Sequence, residues 1–247
     1  MFTFVYTEFF YKPLFNALVF FTNISPSHSL GLAIIMVTIL VRLVLFPFQH
    51  KMAKTQTAMK KLEPELQKIK ERYKNKKEEQ ARATMGLYKK HGVSPFSGIF
   101  MLLIQLPVLI ALLRIFEGGL QGDISAVLYS FVSVPDGVNS IFLGIDLVKS
   151  SVVLAALAGL SQYFQIKLAY PAEEKNKQID KSEKKESFGK DFQHAMRTQM
   201  QYVFPFIIFF IGIRFSAALT LYWTVMNIFA IVHESVVRRR ASALGYE

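Results

Sequence analysis

Cysteine is absent from all 247 residues. That excludes disulfides, thiolate metal sites and a lipid-modified cysteine anchor. Histidine is scarce: positions 28, 50, 91, 194 and 233 are scattered, with no metal-ligand spacing, so no metal or other cofactor is expected. No G-x-x-x-x-G-K-[ST] phosphate loop is present, so nucleotide hydrolysis has no visible seat. No catalytic constellation stands out, and an enzyme is not expected. What is present is apolar: 52% of residues are hydrophobic and mean hydropathy is +0.30. These residues lie in long blocks, which a single soluble domain does not need.

Five blocks read as spanning helices, each needing roughly 20 apolar residues, fewer where the bilayer is thinned. They are about 28–48, 95–116, 150–170, 200–213 and 216–237. The last two share one stretch, interrupted at Ile213-Arg214-Phe215-Ser216, where a tight turn is expected. Charge sets the orientation. Segment 49–92 carries 13 Lys/Arg and five acids, whereas 116–150 carries one Lys and four acids. Segment 166–201 and the Arg238-Arg239-Arg240 tail are also net basic. The basic segments, including loop 171–198 and the short tail 241–247, are expected in the cytoplasm. The N terminus and the acidic loop are expected outside. Loop 171–198 is expected to be mobile at its centre, with a short helix near 187–198.

Residues 1–27 do not read as a cleaved leader, since no Lys or Arg precedes Lys12 and no small-x-small site follows. Their load of Phe and Tyr fits an interfacial helix lying outside the cytoplasm, with a further span as the second choice. Glu8 and Lys12 are spaced to pair, and Pro13 marks a kink or a break between two short helices.

Segment 50–91 reads as a helical hairpin. Met59, Leu62, Leu66, Ile69 and Tyr73 recur at 3, 4, 3, 4 spacing, the seam of a short coiled coil. Lys74–Lys77 supplies a turn, and Ala81, Met85 and Tyr88 form a weaker returning stripe. Pro64 fits a first helical turn, so a break near Glu63 is expected. The positive charge suits anionic lipid headgroups. Contact with a ribosome is a second reading and a solvated, topology-setting face a third.

Arg42 is the most informative residue. It sits inside the apolar run Leu30–Phe48, and the one acid within the five spans, Glu234, stands at the cytoplasmic end of the last, not at its depth. At mid-bilayer an arginine costs about 2.5–3.5 kcal/mol on insertion scales and normally faces a bundle interior or a water-filled cavity. Snorkelling to the cytoplasmic interface is the competing reading. Other polar residues at membrane depth are Thr38, one turn before Arg42, then Gln105 beside Pro107, then Gln162 and Gln165. Thr220, Tyr222, Trp223 and Asn227 line one side of the last span. Taken singly, each is expected to make an ordinary interhelical hydrogen bond or, for Tyr222 and Trp223, to belong to an interfacial belt. Arg114 and Arg214, near outer helix ends, are expected to snorkel outward.

Four segments carry a family resemblance: LAIIMVTILVRLVLFPF, EPELQKIKERY, LYKKHGVSPFSGIFMLLIQLPVLIALLRIF and ALTLYWTVMN. Over about 28–240 the chain resembles the YidC/Oxa/Alb membrane insertases of bacterial cell membranes. The resemblance implies an all-α membrane protein with a five-helix core, an outer amphipathic helix and a cytoplasmic hairpin. It also implies a hydrophilic groove open to cytoplasm and lipid but closed outside. Arg42 matches the family's groove arginine, and Thr38 and Trp223 match groove-lining positions; Tyr222 lies in the same LYW motif. Departures from the usual pattern include Ser94, Met101, Ser216-Ala217-Ala218 and Met226, which touch helix bending and packing. The implied function is inserting nascent membrane proteins and helping them fold, with the ribosome and the general secretion translocon as further candidate partners and no DNA. A small-solute transporter or channel, with an arginine-lined polar cavity, is the alternative. A passive assembly factor is a third class.

Overall fold

A computed structural model describes residues 2–74, 76–94, 97–118, 124–169 and 188–243. The described residues are overwhelmingly helical. Helices α1 (Phe2–Tyr6) and α2 (Lys12–Ile24) are joined by a π-helical turn, Thr7–Tyr11, and a 3₁₀ turn follows at Pro26–His28. Then come α3 (Leu30–Lys61), α4 (Glu63–Arg72), α5 (Lys77–Lys90) and α6 (Ser97–Gly118). A two-stranded hairpin, β1 (Ile141–Phe142) and β2 (Ile145–Asp146), precedes α7 (Val152–Ala169), α8 (Phe188–Gly212) and α9 (Ala217–Ala243). Among the described residues, two helical segments are long and apolar enough to cross a membrane, Leu30–Lys51 and Val152–Ala169, and Gln201–Gly212 is a shorter apolar helix.

The chain forms two compact units. One comprises 1–42 with 111–247, and the other 43–110.

In the first unit, α7 lies against both α8 and α9. Small residues permit the close approach. A Cβ on Gly212 would meet Thr220 Cγ2 at 2.6 Å and Ala155 Cβ at 2.9 Å, and one on Gly159 would meet the Pro205 carbonyl oxygen at 3.0 Å. Without a hydrophobic driving force between helices in lipid, such backbone proximity is the main source of helix association. The turn 213–216 separates α8 from α9. The expected short helix near 187–198 is the beginning of α8, which runs unbroken from Phe188 through Pro205. Lys190, Gln193, Ala195, Met196, Arg197, Gln199 and Met200 are good helix formers and no Pro precedes Pro205 in the helix, so nothing stops it where the apolar run starts. The centre of loop 171–198 and the final residues 244–247 lie outside the described residues.

The N-terminal segment is not broken at Pro13. The chain stays helical, and the π-helical turn just before α2 absorbs the disruption. Glu8 and Lys12 pair at 2.6 Å. Helix α2 buries Leu14, Phe15, Leu18 and Val19 and is stitched to the segment after α6. The Asn16 side chain donates to the Val127 carbonyl at 3.0 Å and accepts from the Tyr129 N–H at 2.6 Å, and Asn23 donates to the Ser133 carbonyl at 2.7 Å. Arg114 does not simply point away, since its guanidinium lies 5.1 Å from the centre of the Tyr6 ring.

The segment 124–149 ties helix ends together. Asn139 donates its N–H to the His28 carbonyl and accepts from Leu30 N–H, both at 3.0 Å. The carbonyls of Lys149 and Leu147 accept the N–H groups of Ala217 and Ala218 at 2.7 and 2.9 Å. Two of the otherwise orphaned donors at the start of α9 are thereby satisfied. A Cβ on Gly31 would collide with the Phe142 ring, so glycine is what lets the hairpin lie on the first turn of α3. Asp146 accepts from the Ser140 hydroxyl at 2.9 Å, and this bond, with a second from the Val148 N–H, holds its carboxyl below the usual range.

In the second unit, α3 continues past Phe48 and through Pro47 to Lys61, so no loop separates the apolar run from the basic segment. The break falls at Leu62, with Pro64 in the first turn of α4. Helices α4 and α5 pack on one another. Leu62 and Leu87 are buried, while Met85 is 48% exposed. Of the expected returning stripe, Ala81 and Met85 are exposed and Tyr88 is half-buried, and the buried residue of α5 is Leu87.

Candidate functional site

The site grows from one hydrogen bond. Arg42 ends the part of α3 belonging to the first unit, and its Nη2 donates to the Met226 carbonyl of α9 at 3.1 Å. Among the described residues no carboxylate pairs with it. Arg42 is half-buried. A guanidinium carries five N–H donors, so one bond to a backbone carbonyl leaves most of its capacity for water or a ligand. Hydrogen bonds to charged groups contribute about 1.5–3 kcal/mol, too little to compensate a fully dry arginine. Tyr222, one turn before Met226 on α9, is buried nearby.

Beside this lies a polar ladder between α7 and α9. The Trp223 indole N–H donates to Gln162 Oε1 at 3.0 Å, and the Gln162 amide donates to Gln165 Oε1 at 3.1 Å. One turn on from Trp223, the Asn227 amide donates to Ser161 Oγ at 3.1 Å. Each such bond within a membrane bundle is worth about 0.6 kcal/mol on average. Gln162 and Asn227 are buried, while Gln165 and Trp223 are half-buried.

The threonines behave differently. Thr38 is 1% exposed and its hydroxyl donates back to the Ile34 carbonyl at 2.6 Å. Thr220, also buried, donates to the Ala217 carbonyl at 3.0 Å, and Thr224 to the Thr220 carbonyl at 2.8 Å. These hydroxyls are satisfied by their own helices and need no water. Gln105 is half-buried on α6 within the second unit. The structure thus brings together Arg42, Tyr222 and the Met226 carbonyl, and Gln162, Gln165, Trp223 and Asn227. Sequence reasoning did not single out the Met226 carbonyl, because a backbone acceptor leaves no trace in side-chain chemistry. Ser161, the residue before Gln162 on α7, is buried and enters the ladder as the acceptor of the Asn227 amide.

The sequence model of the 60Kd inner membrane protein family matches residues 20–243, nearly the whole chain. The chain belongs to this family, that of the YidC insertases. It is similar to the membrane protein insertase YidC of Fusobacterium nucleatum, 30% identical over 94% of this chain and 98% of that protein. It is likewise similar to the membrane protein insertase MisCA of Bacillus subtilis, 31% identical over 84% of this chain and 70% of the relative. The YidC of Geotalea daltonii is 28% identical over 94% of this chain, which spans only 38% of that longer family member.

Proposed function

We propose that the protein is a bacterial inner-membrane insertase that receives nascent membrane proteins in a hydrophilic groove centred on Arg42. The observation that carries this reading is an arginine set in an apolar helix and held by a backbone carbonyl 3.1 Å away, with no carboxylate beside it among the described residues. Family membership supports it, since the similar proteins from Fusobacterium nucleatum and Bacillus subtilis are both named membrane protein insertases.

In this reading α3, α6, α7, α8 and α9 provide five spans, with the N terminus outside and the C terminus in the cytoplasm. Loop charge supports that orientation. The α4–α5 segment is then the cytoplasmic hairpin, its basic surface resting near anionic headgroups. The groove opens to the cytoplasm and to lipid. Arg42, Gln165 and Trp223 form its accessible polar edge, with Gln162, Asn227 and Tyr222 behind them. The self-satisfied Thr38 and Thr220 belong to its closed end.

The mechanism follows from electrostatics and transfer energies. A polar flank of the substrate, often acidic, enters from the cytoplasm and is attracted by Arg42 within low-dielectric walls. The groove lowers the cost of bringing polar groups to bilayer depth. The hydrophobic segment moves along α7 and α9 into lipid, driven by apolar transfer. Release of an acidic flank outward is favoured by the membrane potential, about 2.3 kcal/mol per charge per 100 mV. No bond is made or broken, so the protein acts as an insertase and chaperone rather than an enzyme.

The test is insertion of a single-span substrate into liposomes containing only this protein. Arg42→Ala should lower insertion of a substrate with an acidic translocated flank about tenfold, the effect of roughly 1.4 kcal/mol. A neutral-flank substrate should change much less. Equal loss for both substrates contradicts the electrostatic role, and no loss for either contradicts the groove.

A further inference from the structure

Segment 124–149 is unusually apolar for a connection between helices: 15 of its 26 residues are hydrophobic and three are charged. Part of this apolar content is used internally, since Ile124, Val132 and Leu147 are buried and Phe142 lies on Gly31. The rest faces outward. Leu143 is 86% exposed, Phe131 76%, Val148 59%, Val134 54% and Ile141 51%.

The hairpin tip is a costly place for leucine. Phe142 pairs with Ile145, leaving the two-residue loop Leu143–Gly144, with φ of +51° and +80°. Positive φ at both central residues is the requirement of a type I′ turn, which favours Asn-Gly or Gly-Gly. A leucine there is strained, and in water it gains nothing from exposing its whole side chain. The charges stand away from the tip: Asp146 is hydrogen-bonded to Ser140 and lies 3.4 Å from the Lys149 ammonium at the hairpin's base.

The hairpin is also fixed at a definite depth. Hydrogen bonds of Asn139, two residues before β1, to His28 and Leu30, together with the Phe142–Gly31 contact, hold it on the first turn of α3, where that helix's apolar run begins. Past the hairpin, exposed Val148 leads to Val152 and Val153, 66% and 61% exposed on α7, a helix apolar enough to span. Along the chain, the outward apolar residues of the hairpin lead directly into the exposed apolar residues at the start of α7.

From this we propose that the β1–β2 hairpin is a lipid-interaction surface, with Leu143 inserted at the headgroup–acyl boundary of the outer leaflet and Ile141 and Val148 beside it. Interfacial elements of this kind sit about 5–10 Å deep. The inference rests on the membrane reading above and adds a partner for a segment to which the groove assigns no task. It also gives the strained leucine a purpose, as an anchor that keeps the outer loop at the bilayer surface over the starts of α3 and α9.

The native chain has no cysteine, so single-cysteine variants of the full-length protein are clean probes. Leu143→Cys and, independently, Val148→Cys would be labelled with an environment-sensitive fluorophore in vesicles of phosphatidylcholine and phosphatidylglycerol. Val153→Cys serves as the lipid-facing control and Asp136→Cys as the aqueous one. The expected result is blue-shifted emission at 143 and 148, at least twofold stronger quenching by headgroup-proximal nitroxide lipids than at 136, and weak quenching by iodide. Iodide quenching at 143 equal to that at 136, without lipid quenching, overturns the proposal. So does shielding from both quenchers, which would mean a protein surface such as a second copy covers the tip. Lipid quenching at 153 separates failure of this proposal from failure of the membrane reading.

Discussion

At the scale of single residues, the polar side chains differ in how far their hydrogen-bonding needs are met. Arg42 has one backbone acceptor at 3.1 Å, whereas Thr38, one turn away, is satisfied by the Ile34 carbonyl at 2.6 Å. These two polar residues of α3 therefore differ in the hydrogen-bonding capacity they leave for water or a ligand. Trp223 is intermediate: its indole N–H has found Gln162, and the ring is half-buried. Because it is the chain's one tryptophan, its fluorescence reports on this contact without interference. Gln162→Leu should red-shift the emission, as the N–H turns to water, and lower stability by about 1 kcal/mol. Unchanged emission and stability would mean that the Gln162–Trp223 bond contributes nothing to the site.

At the scale of elements, the bundle depends on backbone proximity. Gly212 closes α8 against α7 and α9, with Thr220 and Ala155 both within 3 Å of where a Cβ would stand. Gly212→Val should destabilise the first unit by roughly 1–3 kcal/mol through overpacking, read as a lower midpoint in thermal unfolding. A midpoint unchanged within error would show that α8 can shift at no cost. Helix type and order were largely legible in the sequence, because long apolar blocks in this range leave few alternatives. Helix ends were not. Helix α3 runs on to Lys61 and α8 begins at Phe188, since charge marks a change of solvent and not a change of backbone conformation. The capping of α9 by the Lys149 and Leu147 carbonyls, and the positive φ of Leu143, depend on contacts between distant segments that no local pattern encodes.

At the scale of the whole molecule, the α7–α9 interface carries two kinds of polar residue. Thr220 and Thr224 are satisfied within α9, whereas Trp223 and Asn227 bond across to α7, and the backbone of 147–149 covers the start of α9. The sequence made Arg42 legible as an isolated charge in an apolar run, and its motifs pointed to the insertase family. It could not separate polar residues satisfied within their own helix from those left to solvent, since Thr, Gln and Asn can do either. The central claim is a groove around Arg42 that water enters from one side. Polar-thiol labelling of single cysteines at Gln165, Met226 and Thr220, in oriented vesicles, tests it most directly. The account predicts labelling at 165 and 226 from the side of the basic segments and none at 220 from either side. Labelling of 165 and 226 from the side of the acidic loop would contradict it and indicate a channel or transporter, and absence of labelling from both sides would contradict it as ordinary helix packing.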